Sequence, residues 1–123
     1  MPRDRTEVRS VGLAATAEKL LAAARTAHAR RAAETVYGSR DTVLRQTMLA
    51  LSAGGELGAH DSPPEATLQV LIGRVRLVGA GRSWELVAGD LIAIPPERHS
   101  VSALDDSVFV LTVIRAASGA SAS

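Results

Sequence analysis

Short stretches in which apolar and polar residues alternate occupy most of the second half of the chain. In the clearest of them, Leu68, Val70 and Ile72 share one face. A period of two is typical of strands that bury one face. Gly, Pro and Asp separate the stretches at close intervals, as turns do between antiparallel strands. The pattern predicts a mainly β fold, a closed or sandwiched antiparallel sheet. The predicted strands are 34–37, 43–51, 66–72, a stretch around 75–77, 83–87, 91–94, 100–104 and 108–114.

The alternation changes phase at Gly73. If it continued unchanged, Arg74 and Arg76 would lie on the apolar face, whereas Val75 and Leu77 are the apolar residues. A bulge or a sharp bend shifts a strand in this way. We therefore predict one at Gly73.

The segment 13–33 has a different pattern. It is rich in alanine and contains no Gly or Pro, which favours a helix, and its apolar residues recur at helical spacing on one face. The stripe is narrow, so we expect the helix to lie on a sheet or on a partner subunit. The residues of this stripe are Leu13, Ala17, Leu20, Leu21, Ala24 and His28.

Three further segments complete the predicted organisation. Residues 1–12 are polar and charge-mixed and are expected to form a flexible arm. Residues 34–115 form the β domain, and the small residues of 116–123 are expected to be a disordered tail. Because both faces of strand 108–114 are apolar, we expect the helix or a subunit interface to cover it.

Composition narrows the classes of function. The chain has 123 residues, enough for one domain, and a net charge of +1, which argues against binding to phosphate backbones by charge. Aromatic residues make up 2%, too few for a surface on which bases stack. There is no cysteine, no secretory signal and no apolar run of membrane-spanning length. We predict a cytoplasmic protein that binds neither nucleic acid nor membrane.

Two segments carry the histidines of the β domain at fixed distances from Gly and Pro. In the first, His60 lies between Gly54 and Gly73. In the second, Gly89 and Pro95 precede His99. This spacing resembles the two motifs of the cupins, with one residue fewer between Pro95 and His99. More closely, the chain resembles small single-domain RmlC-like cupins with an N-terminal helix.

The resemblance implies a cupin double-stranded β-helix, a jelly-roll barrel preceded here by one α-helix. In metal-binding cupins, two histidines and a glutamate of the first motif join the histidine of the second. His60 and His99 match two of these positions. Ser62 occupies the position of the second histidine and Ala66 that of the glutamate, so the resemblance implies an incomplete ligand set.

Three interpretations of the two histidines stay open. They form a site for a divalent metal, Zn, Fe, Mn, Ni or Cu, completed by Glu65, Asp61 or water. Alternatively, they are hydrogen-bonding or acid–base groups of a metal-free pocket, with His60 as the candidate catalytic base. In the third interpretation they are structural side chains with satisfied hydrogen bonds. Gln46, Thr47 and Ser62 are further candidate pocket residues, although Gln46 and Thr47 are as compatible with an outward position.

The first functional hypothesis is a small-molecule-binding cupin with its ligand in the barrel. The alternative is a cupin enzyme that uses the same pocket, as a metal-dependent dioxygenase or isomerase or as a metal-free epimerase or cyclase. The resemblance and the last strand, apolar on both faces, also predict a homodimer.

Overall fold

The computed structural model describes residues 8–61 and 63–115, and of His60 only the backbone. Within these residues lie one helix and nine strands. The helix, α1, spans Leu13–Thr26. No helix in the described part of the chain has the length and apolarity needed to cross a membrane. The strands are β1 Arg31–Tyr37, β2 Leu44–Leu51, β3 Glu56–His60, β4 Glu65–Ile72, β5 Arg74–Val78, β6 Ser83–Val87, β7 Leu91–Ala93, β8 His99–Ala103 and β9 Ser107–Ile114.

The strands form two antiparallel sheets that pack face to face. The first has the order β1-β2-β9-β4-β7 and the second the order β3-β8-β5-β6. The predicted mainly β jelly roll with one preceding helix is confirmed. Of the closed and the sandwiched sheet that the pattern left open, the structure shows the sandwich, because no ladder of hydrogen bonds closes the two sheets into a barrel among residues 8–61 and 63–115.

The core between the sheets is built by the alternation of each strand. Inward positions of the first sheet contribute Leu49, Leu68 and Phe109, and Val75 and Leu77 come from the second. Leu68, Leu77 and Phe109 have no exposed surface. Burial of one such side chain stabilises the fold by about 1.5–3 kcal/mol, so this layer accounts for the pairing of the two sheets.

The predicted bend at Gly73 is where the chain leaves one sheet for the other. β4 ends at Ile72 in the first sheet and β5 begins at Arg74 in the second. Gly73 has φ +84°, which glycine adopts without the strain that a Cβ brings. The phase change is also confirmed, since Val70 and Val75 both lie in the inter-sheet core.

The helix covers the outer face of the first sheet. Leu20, Leu21 and Ala24 of α1 pack with Met48 of β2 and Val110 of β9, among others. Strand 108–114 was expected to be covered by the helix or by a subunit interface, and the structure shows α1 on its outer face.

The predicted helix over 13–33 is too long. α1 ends at Thr26, and Arg31 and its neighbours already pair with β2, where Arg31 lies opposite Leu51. Arg30, with φ +59°, makes the turn between the two elements. The ladder to β2 outweighs the helical propensity of Ala32 and Ala33.

The predicted arm and tail lie largely outside the described residues, which begin at residue 8 and end at 115. Residues 8–12 are exposed and belong to no helix or strand.

Candidate functional site

The two histidines of the motifs lie at one end of the sandwich, where β2, β4 and β8 begin and β3, β7 and β9 end. We call it the His99 end. Ile114 of β9 is the register partner of both Leu44 and Glu65, which brings the starts of β2 and β4 to one level. The Ile94 N–H donates to the Ala66 carbonyl just before the chain turns toward β8.

His99 is a buried polar residue on the inner face of β8. Its side chain is 4% exposed, and it alternates with the core residues Val101 and Ala103. Nδ1 lies 3.0 Å from the Glu97 carbonyl oxygen. Because a carbonyl only accepts, Nδ1 carries the hydrogen, and in the neutral ring the lone pair is on Nε2. This tautomer suits a proton acceptor or a metal ligand.

Glu97 fixes the loop that leads into β8. Its carboxylate accepts the Ala80 N–H at 2.7 Å and binds the Arg82 Nη2 at 2.7 Å. The hydrogen bond from Arg82 is the main reason that the pKa of Glu97 lies below its ordinary range. The same arginine stacks on Trp84, with its guanidinium carbon 5.0 Å from the ring centroid. The carbonyl that orients His99 is therefore held by a charged clamp.

Arg98 joins the same loop to the end of β3. Its guanidinium donates to the Ala59 carbonyl at 3.0 Å and to the Asp61 carboxylate at 3.1 Å. Asp61 is 88% exposed, and in this position it pairs with Arg98 at the surface.

The strand register brings His60 and His99 together. β3 runs antiparallel to β8, and after an irregularity at 58–59 the backbone of His60 lies opposite His99. The side chain of His60 and the whole of Ser62 lie outside the described residues, so their predicted roles in the pocket remain predictions.

Two predicted site residues lie on the outer face of the first sheet. Gln46 lies opposite Thr112 and donates to its hydroxyl at 3.1 Å, on the face that turns away from the inter-sheet core. Glu65 is exposed, and its neighbour Ala66 takes the inward position. The regular alternation of β4 is the reason, and Pro63 and Pro64 do not shift it. Glu65 is therefore not available as an inward metal ligand.

Arg45, which the sequence pattern does not single out, lies on the inner face at the His99 end. It is opposite Val113 and shares its face with Thr47 and the core residue Leu49. Its Nε atom is buried and has no hydrogen-bond partner among the described residues. The signal was an arginine inside an apolar strand, but both faces of β2 are similarly apolar, so the sequence did not show which face was inward.

The described residues do not fit the four-ligand metal site that the cupin resemblance implies. Among residues with described side chains, no group of three His, Cys, Asp or Glu is placed to hold a metal ion. The cation at Arg45 on the same inner face also disfavours a divalent cation there.

Comparison with known proteins gives fold relatives. No family model and no curated protein matches the chain. An RmlC-like cupin from Desulfovibrio desulfuricans is 25% identical, with a TM-score of 0.60 over 68% of this chain and 81% of that chain. A Cupin 2 conserved barrel domain protein from Salinispora arenicola is 19% identical, with a TM-score of 0.59 over 87% of each chain. A conserved protein of unknown function from Streptococcus pyogenes is 23% identical, with a TM-score of 0.64 over 73% of this chain and 78% of that chain. These similarities concern the fold.

Proposed function

Because the chain has the fold of a small RmlC-like cupin, we propose that it binds a small molecule at the His99 end of the sandwich. The observation that carries the proposal is a buried histidine on the inner face at this end, opposite the backbone of a second histidine. A few polar groups within apolar walls are typical of small-molecule sites. Here the polar groups are His99, Arg45 and Thr47, and the walls are the inter-sheet core.

The unfavourable free energy of burying a polar atom without a hydrogen-bond partner supports the proposal. Burying a guanidinium nitrogen is unfavourable unless it finds a hydrogen-bond partner, and Nε of Arg45 has none among the described residues. Away from this end the inter-sheet core is mostly apolar, with Val70, Val75 and Phe109 fully buried, and the buried hydroxyl of Ser107 has hydrogen-bond partners. Among the described side chains, the buried donor without a partner lies at the His99 end, which is consistent with a binding role for that end.

A binding screen tests the proposal directly. Trp84 is the one tryptophan of the chain and packs against the core, so its fluorescence reports on the same interior. The wild-type protein is titrated with a library of small metabolite-like compounds of both charges and of neutral character. We expect saturable binding that the His60→Ala/His99→Ala double variant loses by at least about tenfold, the effect of one good polar contact.

His28→Ala is the matched control, because His28 is exposed in the turn that follows α1. It should bind as the wild type does. Circular dichroism and thermal unfolding establish that the double variant is folded. If compounds bind equally well to the folded double variant, or if none binds to the wild type, the proposed site is wrong.

A second candidate function is a metal-dependent reaction at the histidine pair. The Nδ1–H bond of His99 to the Glu97 carbonyl favours it, because metal-binding histidines usually donate their other ring nitrogen to such an acceptor. Elemental analysis of protein purified without chelator measures the metal content. Stoichiometric metal that the double variant loses supports this candidate. No metal after reconstitution with Zn, Fe, Mn, Ni and Cu contradicts it.

A further inference from the structure

Arg45 gives the proposed site a chemical preference. We infer that its guanidinium binds a carboxylate group of the ligand, so the ligand is a small organic anion. The inference rests on the proposed function, since it names the class of molecule that the His99 end would bind.

The Arg45 side chain has no hydrogen-bond or ion-pair partner among the described residues. Nε of Arg45 is buried and has no hydrogen-bond acceptor among the described residues, and no ion pair in that part of the chain involves Arg45. Arg25, Arg82 and Arg98 show the usual arrangement, in which each guanidinium binds a carboxylate. Arg45 differs from them by lying on an inner face.

Arg45 lies at the same end of the sandwich as His99. Arg45 is the second residue of β2 and lies opposite Val113, the second-last residue of β9. It is therefore one residue away from the His99 end of these strands. Alternation along β2 puts it on the face of Thr47 and Leu49, which is the face turned to the second sheet. His99 begins β8 on the inner face of that second sheet at the same end. The two side chains therefore border the same end of the interior from opposite sheets.

An arginine differs in its chemistry from the other basic side chains. A histidine or a lysine can lose its proton when buried, whereas a guanidinium stays charged. Arg45 as a whole is half-buried, but its buried Nε–H has no acceptor among the described residues, and leaving such a donor unpaired is unfavourable, so an acceptor supplied by a ligand would be favoured.

A carboxylate fits this arginine better than a phosphate does. The Nε–H and one Nη–H of a guanidinium form a fork that matches the two oxygens of a carboxylate. One guanidinium balances one negative charge. A phosphate carries more charge and more acceptor oxygens, and the neighbouring inward residues Ala66 and Val113 supply no side-chain donor for them.

The test follows the Nε–Hε signal of Arg45 by nitrogen-15 NMR, assigned with the Arg45→Lys variant. The probes are carboxylates and dicarboxylates of two to six carbons, each paired with its neutral primary amide, and inorganic phosphate. We expect the carboxylates to shift the Arg45 signal saturably and to bind more tightly than their amides. Arg45→Met should weaken carboxylate binding about tenfold to a hundredfold, as expected for a charged hydrogen bond.

Arg76→Met is the matched control. Arg76 is exposed on β5 and pairs with Glu85 at the surface, so its replacement removes the same charge away from the interior. Its affinity for the carboxylates should equal that of the wild type.

Thermal unfolding without ligand separates a binding role from a structural one. If the charge of Arg45 is uncompensated, Arg45→Met should raise Tm by roughly 4–8 °C. A lower Tm together with unchanged affinity for the carboxylates would make Arg45 a structural residue and overturn the inference.

The remaining outcomes distinguish this inference from the proposed function. If amides bind as well as carboxylates, or if phosphate binds more tightly, the carboxylate assignment is wrong while the site stands. If the carboxylates bind equally to wild type and Arg45→Met, Arg45 is not the binding group. If no charged or neutral probe binds to the wild type, the inference is overturned together with the proposed site.

Discussion

Glu97 holds the His99 loop by two different groups. Its carboxylate accepts hydrogen bonds from Ala80 and Arg82, and its backbone carbonyl accepts the Nδ1–H of His99. Loss of the carboxylate charge should therefore loosen the loop whose carbonyl sets the tautomer of the histidine.

The lowered pKa of Glu97 gives the first prediction a pH dependence. Because the hydrogen bond from Arg82 lowers the pKa in the folded state, this carboxylate stabilises the fold above its ordinary pKa of 4.5. That contribution should decline as the pH falls through 4.5 and toward the lower folded value. Urea unfolding of wild type and Glu97→Gln between pH 3 and 7 measures it, and the variant should lack this part of the decline.

Glu85→Gln is the control for this experiment, since Glu85 makes only surface pairs with Arg74 and Arg76 among the described residues. If Glu97→Gln and Glu85→Gln have the same pH profile, the clamp at Glu97 does not stabilise the loop.

Gly73 supports a second prediction at the residue scale. Both Gly73 and Gly81 have positive φ, +84° and +73°. A Cβ at Gly73 would collide with the Asp106 carbonyl and the Ser107 hydroxyl, whereas one at Gly81 would meet no atom within 4 Å. Gly81→Ala should cost about 1–2 kcal/mol of unfolding free energy from backbone strain alone. Gly73→Ala should cost about 2–5 kcal/mol, because overpacking adds to that strain.

Chemical denaturation of the two glycine variants measures the difference. Equal losses would mean that the crossing between the sheets relaxes around a methyl group, and that the tight contact at Gly73 is not a constraint on the fold.

Arg45 and Gln46 show what the sequence leaves open at the scale of one residue. The segment 43–51 was correctly predicted as a strand, and the structure has it over Leu44–Leu51. Its two faces carry similar numbers of apolar residues because the core covers one and α1 covers the other. Alternation therefore did not tell which face was inward, so the sequence left Gln46 and Thr47 equally compatible with an inward and an outward position.

At the scale of elements, α1 is a cover for the first sheet. Its Leu20 is 5% exposed and packs on Met48 and Val110, whereas Leu13 at its start is 43% exposed. Arg25 also binds Asp106 at 2.8 Å, and the other oxygen of Asp106 accepts the Ala53 N–H. The helix is thus fixed to the sheet by packing and, near its end, by charge.

Leu20→Ala should lower the unfolding free energy by about 2–5 kcal/mol, the usual cost of a cavity at a buried leucine. Leu13→Ala is the matched control and should cost much less, because its side chain is largely exposed. Equal effects of the two substitutions, measured by urea unfolding, would show that α1 does not pack on the sheet as described.

Helices and strands were predicted well where the local hydrophobic pattern agrees with the observed structure. They were predicted poorly where pairing with a strand distant in the sequence determines the conformation. Ser83–Val87 was predicted with the same bounds as β6. β3, over Glu56–His60, is not among the predicted strands, and its strand conformation comes from pairing with β8. Such pairing overrides local propensity and is absent from the local sequence.

At the scale of the whole molecule, the predicted fold depends on the glycine, proline and histidine framework more than on any element. Gly73 lies where the chain passes from the first sheet to the second, His99 begins β8 opposite the backbone of His60, and solved cupins share the fold. The site was predicted less completely. The glycine, proline and histidine framework indicates the His99 end of the sandwich. It does not show which residues of the other strands face inward, because the core covers one face of these strands and α1 covers the other.

The predicted homodimer loses one of its two supports, because α1 covers the outer face of β9. The resemblance to cupins remains, and we propose the dimer on that ground. Light scattering after gel filtration should give twice the chain mass of 12.8 kDa at all concentrations tested. A mass of one chain, unchanged by concentration, contradicts it.

The binding site is proposed at the His99 end of the sandwich, and the backbone amides of the protein show where a bound compound lies. With a compound from the screen, nitrogen–proton spectra should change most at 45–47, 94–101 and 111–113, which surround Arg45 and His99. The account is contradicted if the largest changes fall on the groove of about 340 Å³ that Leu13, Ala17 and Leu71 line between α1 and β4, while the His99 end stays unchanged.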